Sequence, residues 1–201
     1  MPHSTKDHRA ALRDRLTTLA EMRIATDGIA ALRARDLSRE AGCALGAIYS
    51  VFGDLGDVVL AVNARTFDRL ARVLGATDPI PTDPDGSRAC LAAMAVSYHA
   101  FARDNRHLWR ALFGIGRPTG PRPPDWYMDH MERIFRRIEA TLIPLLPDTD
   151  DHGRRLAART LFGAVHGIVQ LSLDEAGAGL PPDAVAPALE TLVRRFAGMP
   201  P

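Results

Sequence analysis

The chain is predicted to be all-α, with about nine helices: a short three-helix unit at the start and a larger helical assembly after it. Three observations predict this. Apolar residues recur at three- and four-residue intervals along segment after segment, the period of one helix face. The breaks fall at clusters of Gly, Pro, Asp and Asn, and no stretch shows the apolar-polar alternation of a half-buried strand. With 201 residues, 46% of them hydrophobic, the chain can bury a real core, and nine helices suit an all-α protein of that size.

The first helix is expected from His8 to Thr26, on the stripe Leu12, Leu16, Leu19, Ala20 and Ile24, with Asp27-Gly28 as the stop. Ala34 to Ala41 and Leu45 to Val51 are short helices that can bury this stripe, in a unit ending near Phe52. Asp54 or Asp57 can cap a fourth helix running to about Leu74. Gly75 to Gly86, with Pro79, Pro81 and Pro84, reads as a surface connection. Ser87 is expected to cap the fifth helix, which carries Cys90, Leu91, Met94, Tyr98 and Phe101 and stops at Asp104-Asn105. Arg106 to Phe113 is a short sixth helix, and Gly114 to Pro124 is a loop by composition and a site of mobility. Asp125 is expected to cap the seventh helix, on Tyr127, Met131, Ile134, Ile138 and Leu142, ended by Pro144. Asp151 or His152 opens the eighth helix, which is apolar on more than one face, and Asp183 to Phe196 forms the ninth.

Leu37 to Phe52 carries the clearest pattern. Leu37, Ala41, Ile48 and Phe52 can share a core while Gly42 supplies an unhindered turn, which is the pattern of a helix-turn-helix. Such a unit lays its second helix in the DNA major groove, with the early residues at base edges; an ordinary helical hairpin satisfies the same residues. The formal charge of +1 gives no bulk support for nucleic-acid binding, so any such affinity must be local. Between Arg9 and Arg39 there is a modest excess of arginine over acid: Arg9, Arg13, Arg15, Arg23, Arg33, Arg35 and Arg39 against Asp14, Glu21, Asp27 and Asp36.

Other classes find little support. No apolar run approaches the roughly 18 residues of a membrane span, and Met1 to Arg9 lack a signal-peptide core, so a soluble, cytoplasmic protein without membrane association is expected. Cys43 and Cys90 have no metal-ligand spacing and read as buried reduced thiols; neither a metal nor a cofactor is expected. Asp129, His130 and Glu132 are the nearest approach to an acid-base cluster, but their spacing spreads them around a helix. With no phosphate loop, nucleophile elbow or zinc motif, the chain is not expected to be an enzyme.

At this point the order of elements resembles the TetR family of bacterial transcriptional repressors over the whole chain. At residue level the likeness lies in Gly28, Asp36-Leu37, Ala41-Gly42, Gly46, Tyr49 and Phe52, and more loosely in His107 to Gly114 and Ala164-Val165-His166-Gly167, which resemble a subgroup with a Trp-His-Gly signature. The resemblance implies a helix-turn-helix DNA-binding domain over 1–53 and a ligand-binding and dimerisation domain over 54–201. Tyr49 and Ser50 stand where the family contacts DNA, Ala44 and Leu45 open the recognition helix, and Gly46 and Ala47 allow close backbone approach. Arg33 and Arg35 can each add a phosphate contact. Several family positions are altered. Leu32-Arg33 replace a capping Ser or Thr, Ala44-Leu45 replace Ser-Lys, Val51 replaces an aromatic, and Leu55-Gly56 replace Lys-Glu, which removes phosphate partners.

In the larger domain Tyr98, Phe101, Trp109, Phe113, Trp126, Met131, Phe135, Phe162 and His166 are expected to line one apolar cavity, with Gln170 one turn beyond His166 as a second polar contact. For each of these side chains a plain core role is the competing reading. As a set they favour a small apolar or aromatic effector. Gly163 and Gly167 let another helix approach closely, and the last two helices can pair with their copies in a homodimer. The chain is therefore expected to be a homodimeric regulator, most simply a repressor, released by its effector from a pseudopalindromic double-stranded DNA operator. The altered positions Leu45, Val51 and Leu55 motivate a rival: a helical ligand-binding or interaction protein of the same fold that has lost sequence-specific DNA binding.

Overall fold

The computed structural model describes residues 3–76, 78–113, 123–174 and 179–198. Nine α-helices account for most of them: α1 (His3–Asp27), α2 (Ala34–Glu40), α3 (Leu45–Phe52), α4 (Leu55–Val73), α5 (Pro84–Asp104), α6 (Arg106–Phe113), α7 (Asp125–Leu142), α8 (Asp151–Ser172) and α9 (Pro182–Phe196). Short 3-10 turns at Ile29–Ala31 and Ile143–Leu145 complete the regular structure, and no strand occurs among the described residues. No single helix among them is long and apolar enough to cross a membrane. The Gly114 to Pro124 loop expected to be mobile lies, up to residue 122, outside the described residues.

The helices pack as two compact units. The first comprises Met1–Asp68 and Asn105–Met128, the second Arg69–Asp104 and Asp129–Pro201. This partition crosses the expected division into 1–53 and 54–201, because α6 buries Leu108 and Ala111 in the same core as α1.

In the first unit the centre of the α1 stripe is covered, with Leu12 and Leu19 half-buried at its margin. Leu16, Ala20 and Ile24 are solvent-inaccessible and share a core with Leu37, Ala41, Ile48 and Phe52, with Val58 and Val62 of α4, and with the two α6 residues. Each buried Leu or Ile in such a core contributes roughly 1.5–3 kcal/mol of transfer free energy. Gly42, at φ 61°, turns the chain between α2 and α3 in a left-handed conformation that side chains with a Cβ resist. The Asn63 amide nitrogen, wholly buried on α4, donates to the Ala111 carbonyl at 3.0 Å, so that donor inside the core has its partner. On the surface Arg65 of α4 reaches α1, donating to Thr18 at 2.9 Å and pairing with Glu21 at 3.2 Å and with Asp14.

In the second unit α5 packs on α9 and α8, and α8 on α9. Leu91, Met94, Ala95, Ile138, Leu142, Leu161, Val165, Val169, Leu189 and Val193 form its buried interior. Arg137, only 7% exposed, holds the connection that follows α4 by donating to the Asp78 carbonyl at 2.8 Å and the Pro79 carbonyl at 3.3 Å.

Some helix ends differ from expectation. α1 begins at His3 rather than His8, since its polar first residues still continue the helix. Ser87 does not cap α5: the helix opens at Pro84, Asp83 Oδ1 accepts from Gly86 N at 2.8 Å, and Ser87 is buried in the helix interior. Proline is tolerated in a first turn because the N–H it lacks would have no partner there. Asp125 is likewise the first helical residue of α7 rather than its cap, placed where a carboxylate favours the positive end of the helix dipole. Asp54 does cap α4, accepting from Asp57 N at 2.9 Å, and Asp150 caps α8, accepting from Gly153 N at 2.7 Å.

Candidate functional site

The first candidate surface is built on α2, the Gly42 turn and α3. Cys43 N donates to Ser38 O at 3.0 Å and Ala47 N to Ala44 O at 2.9 Å, which sets the turn and starts α3 without a side-chain cap. The far end of α3 is gripped from α1. Arg9 donates to the Ser50 carbonyl at 2.7 Å, and Arg13 to the Val51 carbonyl at 3.2 Å, with its guanidinium 4.2 Å above the Phe52 ring. Cations there complement the unpaired carbonyls and negative dipole end of the helix.

Ile48, Val51 and Phe52 face the core, and the opposite face of α3 is open. Leu45 is 37% and Tyr49 47% exposed, so Tyr49 is not a core residue. Ala44, Gly46 and Ser50 are also exposed and Ala47 is half-buried; the Ser50 hydroxyl donates to the Ala47 carbonyl at 3.1 Å. Arg35 is exposed on α2, whereas Arg33 turns its guanidinium back to the Ala30 and Leu32 carbonyls. Most of the arginine excess has intramolecular partners: Arg23 pairs with Glu40 and Asp27, and Arg39 with Asp36. Val51 is buried, so its departure from the family aromatic changes the core rather than the outer face.

The second candidate is a pocket inside the second unit, enclosing about 380 Å³ including its open mouth. Its wall is made by Leu74, Leu91, Met94, Ala95, Tyr98, Ile138, Leu161, Phe162, Val165 and Val193. Only Tyr98 among these has a polar side-chain group, and that hydroxyl lies 2.8 Å from His166 Nδ1. Phe162 is the centre of the aromatic cluster: its ring stacks on His166 at 5.7 Å and meets Tyr98 and Phe135 edge-on at 5.7 and 5.2 Å. Arg159 covers the Phe135 ring at 4.7 Å and pairs with Glu132 and Glu139.

Of the aromatic residues expected to share a cavity, Tyr98, Phe135, Phe162 and His166 do come together. Phe101 is buried on α5, Met131 is half-buried on α7, and Gln170 is exposed on α8. Trp109, Phe113 and Trp126 belong to the first unit, where Trp109 and Phe113 pair at 5.5 Å and the half-exposed Trp126 lies edge-on to Tyr127. The aliphatic walls from Leu74, Met94, Ile138 and Val193 were missed, because a pocket lining and a core stripe carry the same apolar period.

Burial pushes the His166 imidazole below its ordinary value of 6.5. The neutral ring keeps its hydrogen bond with the Tyr98 hydroxyl, in a direction set by its tautomer. The folded state resists a proton that the unfolded chain takes, so His166 costs nothing well above pH 6.5 and destabilises as pH falls through 6.5 toward its depressed folded value. Thermal unfolding followed from pH 7.5 to 5 is expected to show a smaller loss of stability in His166→Gln than in the parent. Equal pH slopes would remove His166 as a source.

A third feature is the outer face of α8. Leu156 and Leu171 are 61% and 51% exposed, and Thr160, Gly163 and Gly167 continue the same face between them. A Cβ added at Gly163 or Gly167 would meet nothing within 4 Å. Among the described residues no other helix closes on the glycine pair.

A sequence model of the tetracyclin repressor-like C-terminal domain matches residues 91–196, just over half of the chain. Among solved structures, a protein of unknown function from Rhodococcus sp. RHA1 is 26% identical, with coverage of 92% of this chain and 95% of that one and a TM-score of 0.71. RolR in complex with resorcinol is 18% identical, with 97% of each chain covered and a TM-score of 0.65. The multidrug binding protein EbrR complexed with imidazole is 19% identical, covering 94% of this chain and 96% of that one, with a TM-score of 0.63. These two likenesses are of fold. No curated protein gives a significant match. The match across α5 to α9, with nine helices among the described residues, places this protein in the tetracyclin repressor-like family.

Proposed function

We propose that the chain is a homodimeric DNA-binding transcriptional regulator, most simply a repressor, that leaves a pseudopalindromic operator when a small apolar or aromatic effector binds. The observation that carries this reading is the pairing, in one chain, of an outward-facing α3 on a helix-turn-helix with an apolar pocket in the second unit. Ala44, Leu45, Gly46, Ala47, Tyr49 and Ser50 would face DNA, with Arg35 and, after releasing its carbonyls, Arg33 on phosphate. The pocket wall, with its single hydroxyl already bonded to His166, suits a neutral ligand that gains from burial. RolR and EbrR, which share the fold, hold resorcinol and imidazole, and that supports small cyclic ligands as a class.

The second copy would pack on the open strip of α8 from Leu156 to Leu171, together with α9. Two recognition helices related by the dimer axis would then enter major grooves about 34–36 Å apart. The chain of α4 runs from one packing unit into the other, so an effector that prefers one α4 position shifts the helix spacing by differential affinity alone. His107 to Gly114 and, separately, Ala164 to Gly167 would be the two segments in which this chain resembles the subgroup with a Trp-His-Gly signature.

Selection of binding sites from random DNA, followed by affinity measurement, tests the reading. Tyr49→Ala is expected to weaken the selected site by tenfold or more while leaving the melting temperature within about 2 °C, since an exposed side chain contributes little to stability. A variant that unfolds, or that binds as the parent does, would overturn the role of Tyr49. The absence of any enriched sequence would favour the ligand-binding protein that has lost DNA recognition.

A further inference from the structure

Resting on the DNA-binding reading above, we infer that this protein selects its operator through the 5-methyl groups of thymine, with Leu45 as the principal reader. Each base edge in the major groove calls for a particular side-chain chemistry: Arg or Lys for guanine, Asn or Gln for adenine, Asp or Glu for cytosine, and an apolar group for the thymine methyl. From Ala44 to Phe52 the sequence contains none of the first three kinds. The α1 arginines that reach α3 do not supply them, because Arg9 and Arg13 are held at the C-terminal carbonyls of the helix, away from the end that reaches base edges.

What the outer face does present is apolar. Leu45, the first residue of α3, is 37% exposed although Leu37 and Ile48 close by are buried, and Tyr49 extends the strip one turn further at 47%. The backbone beside Leu45 is bare: a Cβ placed on Gly46 or on Gly42 would meet nothing within 4 Å. An exposed leucine flanked by uncovered backbone lets a methyl-bearing base edge approach closely, and burial of the methyl against it is the gain. The Ser50 hydroxyl donates to Ala47 O, which leaves the Tyr49 hydroxyl as the uncommitted polar group among the side chains of this helix face.

The test uses the full chain and the site it selects from random DNA. Replacing each thymine by deoxyuridine removes one methyl and keeps base pairing. At contacted positions the affinity is expected to fall about fourfold per methyl, and by more than tenfold when both half-sites are changed together. In Leu45→Ala, which folds because Leu45 is exposed, the same replacement is expected to change affinity by less than about twofold. A selected site indifferent to deoxyuridine at every position overturns the inference and leaves DNA binding standing. Undiminished sensitivity in Leu45→Ala overturns the assignment to Leu45. Failure to enrich any sequence overturns the DNA-binding reading, and this inference with it.

Discussion

Trp109→Ala is expected to cost about 3–5 kcal/mol of stability, the usual range for emptying a large buried aromatic site. Trp109 is 1% exposed on α6 and packs against Phe113, with Leu108 and Ala111 of the same helix in the core of the first unit. A loss of that size is a large fraction of the roughly 5–15 kcal/mol that holds a typical domain together, and about 10 °C of melting temperature for a chain this long. Urea unfolding measures it, with tryptophan emission as one probe. The other tryptophan, Trp126, is 42% exposed, so the buried-type emission belongs to Trp109 and is lost with it. A cost below about 1 kcal/mol would show that α6 is not integral to that core.

Ile48→Ala is the second large effect, about 2–5 kcal/mol. Its side chain is wholly buried on the inner face of α3, one residue from the exposed Tyr49. The pair separates anchoring from reading. The alanine at 48 is expected to lower both melting temperature and DNA affinity, and the alanine at 49 affinity alone. Calorimetry together with a binding titration on both variants checks this, and an Ile48→Ala protein as stable as the parent would contradict the packing of α3 on α1.

The helices themselves were legible because their stripes are long and their breaks chemically plain; the Gly42 turn and the Asp54 cap stand where the residues suggest. Local signals failed where two candidates competed. Both Asp83 and Ser87 can cap, and the choice fell to Asp83 because Ser87 lies one turn inside a helix that Pro84 can open. The arginines of α1 were legible in number and not in use, since bonds from Arg9 and Arg13 to carbonyls some forty positions away depend on how α1 crosses α3. In the second unit two of the aromatic residues, Tyr98 and Phe162, marked part of the pocket, while its aliphatic walls had no distinguishing feature. Gln170 shares a helix face with His166 in the pattern, yet the packing of α8 leaves it outward.

The discontinuity of the first unit also bears on how the chain is made. Leu108 and Ala111 complete a core whose other members all come before residue 63, and Arg69–Asp104, the 36 residues between the two segments, belong to the second unit. At roughly 5–20 residues per second the ribosome takes about 2–7 s to add that insert. During this interval the nascent first segment lacks the α6 residues of its core. Newly synthesised chains therefore pass through a window in which this region is open to chaperones and to misassociation with a neighbouring chain, and it closes only when α6 emerges.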